Sequence, residues 1–321
     1  MIKISVVVPA YNEESYLRAC LASLKKQNFN GDYEIIVVDN NSADKTAQIA
    51  RDLGCKVVFE PQQGVCFARQ RGVVEALGEI IVSTDADCVF PEDWLANIVQ
   101  AFLENKNSVA VIGPYDYPAG SGSGNWFIKL WFKGVFFIYK VSKKTICAPG
   151  ANFAFYKKNI EAIGGYNINL NLGGDEYDLL KRIRQGGKVV YLRENKIITS
   201  SRRLKNGFLY NFFISILFCY LIDYFSGGRL TKSFLGRLYP AIRKEINHKK
   251  ILLEQVIMSS LLVVVSAYFL LFSASSPVSA KTKEGAAFVH KKIISADYQI
   301  ERSGHKLKVF MTNESEKLKH K

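Results

Sequence analysis

The sequence predicts an α/β fold in which an open, mostly parallel sheet flanked by helices fills residues 1–200, with membrane-associated helices after it. Three observations carry this expectation. Apolar, β-branched runs alternate with segments of helical spacing. Three of those runs end in polar or acidic residues. Beyond residue 201 long uncharged stretches replace the mixed pattern.

The elements follow in order. Residues 4–8 form a continuous β-branched run, the pattern of a parallel strand covered on both faces. Residues 15–27 read as a helix, with Leu17, Leu21 and Leu24 at helical spacing. Residues 34–39 make the second buried strand. Residues 42–53 make the second helix, capped by Asn41 or Ser42 and stopped by Gly54. Residues 56–60 are a short strand, 65–77 a helix ended by Gly78, and 79–84 a further strand. Residues 91–105 are a helix with Pro91 near its first turn. After residue 106 the alternation weakens. Residues 118–124 read as a loop, and residues 126–139 hold seven aromatic side chains. Residues 151–156 suit a strand, 175–185 a helix with an acidic first turn, and 188–192 a strand.

Charge divides the 321 residues unevenly. Residues 1–201 carry 23 basic and 21 acidic side chains, whereas 202–321 carry 20 and 8, a net of +12. An apolar-flanked basic excess suits an anionic membrane surface, and nucleic acid is not expected as a partner. Residues 201–254 read as a basic, aromatic membrane-interface region and 281–321 as a basic tail. Residues 255–280 lack any charge and are long enough to span a bilayer. Residues 206–222 are uncharged too. Spanning there as well would put residues 229–250, with seven Lys or Arg, outside. One span is therefore expected, with residues 206–222 and 126–139 at the interface through their aromatics. The opening residues are too short for a signal peptide, so the α/β domain is expected on the cytoplasmic face of the membrane. The rival is that no segment spans. Six cysteines without metal-binding spacing are expected as reduced thiols.

Chemistry is expected where strands end, since ligands of open α/β sheets bind outside the carboxyl ends of the strands. Those ends read Pro9-Ala10-Tyr11-Asn12-Glu13, Asp39-Asn40-Asn41-Ser42 and Ser83-Thr84-Asp85-Ala86-Asp87. In an extended Asp85-Ala86-Asp87 both carboxylates converge, which suits a divalent cation that also takes phosphate oxygens. A solvated acidic turn is the alternative. Neither the dinucleotide fingerprint nor the phosphate-loop pattern is present. All four histidines lie beyond residue 247, so a carboxylate is the remaining base for the α/β domain. Asp175 and Glu176 open the helix at 175–185 as an acidic first turn of the kind a helix dipole stabilises. Arg202 and Arg203 either clasp a diphosphate or lie on lipid headgroups.

The segments VVVPAYNEESYL, IIVVDNNSADKT, GVCFARQRG, STDADC and GGDEYDLLKR occur in order over residues 3–195. As a series they resemble the motifs of family 2 inverting glycosyltransferases with the GT-A fold. The resemblance implies that Pro9, Ala10, Tyr11 and Glu13 frame the nucleotide base and ribose, and that Asp39 contacts the nucleoside. It implies a donor contact for Arg69, with Gln70 where the family carries asparagine. Asp85 and Asp87 would bind nucleotide and metal, Mg²⁺ or Mn²⁺. Asp175-Glu176 would supply the catalytic base, in an order reversed from the usual Glu-Asp; position favours Glu176, with Asp175 as rival. No Gln-x-x-Arg-Trp motif of the processive branch occurs, which favours single addition. The expected activity is transfer of a sugar from a nucleotide-sugar donor to a hydroxyl or lipid-linked acceptor, for cell-surface glycan or glycolipid assembly. A polyprenyl-phosphate glycosyltransferase, a nucleotidyltransferase and a catalytically silent membrane scaffold are the alternatives.

Overall fold

The computed structural model describes residues 3–119, 123–145, 147–170 and 175–202. Arg203, Cys219 and the expectations for residues 206–222, 255–280 and 281–321 lie outside them. Among the described residues no helix is long and apolar enough to cross a membrane.

The first half alternates as the apolar runs require. Strand β1 (Ile4–Ala10) leads to α1 (Leu17–Lys25), β2 (Tyr33–Asp39) to α2 (Thr46–Asp52), and β3 (Lys56–Phe59) to α3 (Val65–Glu75). Then come β4 (Ile80–Ser83), the short β5 (Cys88–Val89) and α4 (Trp94–Glu104). The second half adds β6 (Ser108–Ile112), β7 (Tyr115–Asp116), α5 (Ser123–Ser142), β8 (Phe153–Tyr156) and α6 (Lys157–Ala162). It closes with α7 (Asp175–Ile183), β9 (Lys188–Tyr191) and β10 (Ile197–Thr199).

Seven strands form one sheet in the order β3-β2-β1-β4-β8-β6-β9. All pairs are parallel except those of β8, which runs antiparallel to β4 and β6. Strands β5, β10 and β7 form a second, three-stranded sheet. Alternation along β1 explains the two-sided core. Val6 and Val8 point to a cluster with Leu17, Leu21, Leu24 and Trp94, while Val7 joins Ile36, Val38, Ala68 and Leu179 on the opposite face. Each of these large aliphatic side chains stabilises the fold by roughly 1.5–3 kcal/mol when fully buried. Helix α3 lies close on β1 because Gly72 has no Cβ; one would sit 2.2 Å from Val7 Cγ1.

The expected start of the second helix fails. The second helix begins at Thr46 rather than at residue 42, and neither Asn41 nor Ser42 caps it. Asn41 takes φ 63°, a left-handed turn that asparagine tolerates. Asp39 Oδ1 accepts from Ser42 N (3.2 Å), and Ser42 Oγ accepts from Asn12 N (3.0 Å). Asp44 Oδ1 accepts from Thr46 N (2.9 Å) at the true helix start. Gly54, at φ 63°, follows the helix as expected.

Candidate active site

Strands β1 and β2 end in register, Ala10 opposite Asp39, and Val7 stands opposite Ser83 of β4. The parallel register therefore delivers the three predicted strand ends to one edge. The β1 and β2 loops are tied to each other there. Asn12, also left-handed at φ 54°, accepts from Ala43 N through Oδ1 (2.8 Å), and Glu13 N donates to Thr46 Oγ1 (2.8 Å). Asp39 is buried, and Asn40 beside it donates to Glu60 O and Gln62 O (3.1 and 2.6 Å). Pro9 and Ala10 form the last residues of β1, and Tyr11 follows them at the edge.

Arg69 of α3 is the hub. Its guanidinium is 3% exposed and reaches three carboxylates. Nη1 donates to Asp175 Oδ2 and to Glu176 Oε1 (3.1 Å), and Nη2 donates to Asp85 Oδ1 (3.0 Å). One arginine thus joins the end of β4 to the first turn of α7. Gln70 Oε1 accepts from Tyr166 N (2.8 Å), so Gln70 holds the loop before α7. Arg182 of α7 donates to Ile163 O and Gly165 O and fixes the same loop (3.0 and 2.7 Å).

Asp175 and Glu176 differ although they are neighbours. Asp175 is 2% exposed, and burial together with the Glu176 charge holds its carboxyl well above the usual range despite Arg69. Burial also pushes Glu176 up. The Arg69 charge and a hydrogen bond with Asp175 outweigh it, and Glu176 stays below its ordinary value. Within the pair Asp175 therefore holds a proton more tightly than Glu176, the less buried of the two. Desolvation of a second like charge makes this separation the favourable one.

Arg202 closes the other side. It donates bidentately to Glu13 (2.7 and 2.8 Å), and its Nη2 lies 3.1 Å from Asp87 Oδ2. Its guanidinium also stacks over Tyr16, 4.9 Å from the ring centroid. Arg202 thus lies among Glu13, Asp87 and Tyr16.

Asp85 and Asp87 are not in an extended segment. Ala86-Asp87 form a turn, closed by Cys88 N donating to Asp85 O (3.3 Å). Each carboxylate takes its own arginine, and Asp87 also accepts from Ser200 Oγ (2.6 Å). Their repulsion is thus relieved by Arg69 and Arg202. Among the described residues no three His, Cys, Asp or Glu side chains gather to hold a metal. Two carboxylates nevertheless fit Mg²⁺ or Mn²⁺ arriving with phosphates, since such a cation keeps water and phosphate oxygens as its other ligands.

Gly150 and Asn152 are absent from the sequence expectations. A Cβ on Gly150 would lie 2.3 Å from Glu176 Oε1 and 2.5 Å from Arg69 Nη2, so the backbone itself forms one wall of the hub. Buried Asn152 positions that wall, accepting from Trp94 Nε1 (3.0 Å) and donating to Pro114 O and Asn195 O (3.0 and 2.8 Å). The only sequence signal was a glycine after proline, which also marks ordinary turns.

Residues 5–164 match the model of glycosyl transferase family 2. Glycosyltransferase AglE of Haloferax volcanii is 28% identical over 182 residues, 54% of this chain and 58% of its own length. A dolichol-phosphate mannosyltransferase of Pyrococcus furiosus is 28% identical over 177 residues, 52% of this chain and 49% of its own. The chain thus spans about half the length of these relatives. A mannosyltransferase of Pyrobaculum calidifontis, solved with GDP-Man and Mn²⁺, shares the fold with a TM-score of 0.51 at 20% identity, covering 89% of this chain and 79% of that one. The matched residues take in β1 to α6, with Arg69, Asp85, Asp87 and Gly150, and on that match the chain belongs to glycosyl transferase family 2.

Proposed function

We propose that this chain is an inverting glycosyltransferase that moves one sugar from a nucleotide-sugar donor to a hydroxyl or lipid-linked acceptor, for glycan or glycolipid assembly. The observation that carries the reading is the Arg69 bridge between Glu176 and Asp85. It holds Glu176 of the first turn of α7 on one side and Asp85 at the end of β4 on the other.

The roles follow from charge and position. Glu176 takes the acceptor hydroxyl proton as the acceptor oxygen attacks the anomeric carbon. The bond from that carbon to the diphosphate breaks, the nucleoside diphosphate leaves, and the configuration inverts. Asp175, held by the same Arg69 nitrogen, orients Glu176. Pro9, Ala10, Tyr11 and Asp39 line the strand edge for the nucleoside. Arg202, already among Glu13 and Asp87, places positive charge where the diphosphate charge develops. A divalent cation held by Asp85 and Asp87 supplies further charge to that group. The membrane lipids remain proposed partners.

A second reading, with a polyprenyl phosphate as acceptor, is favoured by the similarity to a dolichol-phosphate mannosyltransferase. A phosphate acceptor is already ionised and needs no base, so Glu176→Gln separates the two. The direct test is a panel of nucleotide sugars with a thermal-shift readout, followed by product analysis. The proposal expects one stabilising donor, a nucleoside diphosphate product and inverted anomeric configuration. Release of inorganic diphosphate, or a retained configuration, overturns it.

A further inference from the structure

Helix α5 has an inner and an outer face. Inside, Phe132 and Val135 are buried, and Phe136 and Tyr139 lie against Tyr191 with ring centroids 5.8 and 5.9 Å apart. Outside, Trp126, Leu130, Phe137 and Val141 are 68%, 50%, 67% and 71% exposed. At 3.6 residues per turn these four fall within a sector of about 60° and form one apolar ridge. Exposed Lys129, Lys133 and Lys140 border the ridge on one side, and exposed Lys143 and Lys144 follow the helix. No acidic residue occurs between Asp116 and Glu161.

Scattered exposed apolar residues are ordinary, whereas an aligned ridge with a purely basic border is not. The charge selects an anionic partner. The tryptophan and phenylalanine select one with an apolar layer just beneath its charge, which a nucleic acid lacks. An anionic bilayer surface has both.

We infer that α5 docks the domain onto an anionic lipid bilayer, with Trp126, Leu130, Phe137 and Val141 at the headgroup–acyl boundary and Lys129, Lys133 and Lys140 on lipid phosphates. The inference stands whether or not the chain transfers a sugar. Its consequence for the site is continuity: seven residues separate the end of α5 from Gly150, the wall against Glu176 and Arg69.

The uncharged runs at 206–222 and 255–280 would add bilayer affinity of their own, so the test must read α5 itself. The full chain has three tryptophans, of which Trp94 is fully buried and Trp126 exposed. Full-length protein is mixed with vesicles whose acyl chains are brominated, either of phosphatidylcholine alone or with about a third phosphatidylserine. Tryptophan quenching is expected on the anionic vesicles, lost in Trp126→Phe and reduced by high salt and by joint Lys129→Glu, Lys133→Glu and Lys140→Glu. These exposed substitutions should leave the unfolding temperature unchanged. Quenching that survives in Trp126→Phe, or that is equal on neutral vesicles, overturns the inference. So does vesicle-bound protein with no quenching, which would mean that another part of the chain or another protein covers the ridge.

Discussion

Arg69 Nη1 lies 3.1 Å from Glu176 Oε1, across 107 residues of sequence. The same guanidinium holds Asp175 and Asp85, so a single buried cation sets the position of a carboxylate at each end of the site. Its planar fork suits several carboxylates at once, which a lysine ammonium does not. This makes Arg69 a structural as well as an electrostatic centre.

Replacing it should be costly in both respects. Arg69→Ala leaves buried carboxylates without a counter-charge, and a loss of about 3–5 kcal/mol is expected. Arg69→Lys should fold better yet transfer poorly. Chemical denaturation of the two variants checks this, and a stability of Arg69→Ala equal to the parent would contradict the hub.

Asp175 makes a pH prediction. Its folded-state carboxyl binds a proton to higher pH than in the unfolded chain, because of burial and the Glu176 charge. Its contribution is therefore full below the ordinary carboxylate range, near pH 4, and is lost as pH rises through the raised folded value. Asp175→Asn removes that titration. The parent should lose stability relative to Asp175→Asn as pH rises from about 4 to 8. Paired unfolding curves measure the difference, and a parent that gains on the variant over this range contradicts the assignment.

Gly150→Ala inserts a methyl group 2.3 Å from Glu176 Oε1. The side chain must give way, so transfer should fall by at least about tenfold, in keeping with the sensitivity of catalysis to small displacements. Equal transfer rates in Gly150→Ala and the parent would show that Glu176 does not need its place on this wall.

The strand ends were legible because each apolar run stops in polar residues, and parallel register then aligns them without further information. Strands β5, β7 and β10 were not, since two or three residues carry no periodicity. Helix α5 read only as an aromatic run because apolar side chains occupy both its faces. The segment Asp85–Asp87 is a turn closed by Cys88 N on Asp85 O, and its arginine partners lie 16 and 115 residues away, beyond the reach of a local reading. Arg69 was marked by resemblance alone; its three partners lie 16 to 107 residues away. The Glu13–Arg202 pair spans 189 residues and left no local sign. Gly150 was invisible because what it accommodates comes from α3 and α7.

The proposed cation predicts that EDTA abolishes turnover and that added Mg²⁺ or Mn²⁺ restores it. Asp87→Asn keeps the shape beside Ser200 and Arg202 but removes the charge, and should be inactive at any metal concentration. Full activity of the parent in EDTA would remove the metal from the account.

Glu176→Gln tests the central claim most directly. The amide keeps the length and the contact with Arg69 but has no basicity. Transfer to a hydroxyl acceptor under single-turnover conditions should fall by about 10²–10⁴-fold, while nucleotide-sugar binding is retained. A Glu176→Gln enzyme that transfers at the parent's rate, with Asp175→Asn the inactive variant, would contradict it.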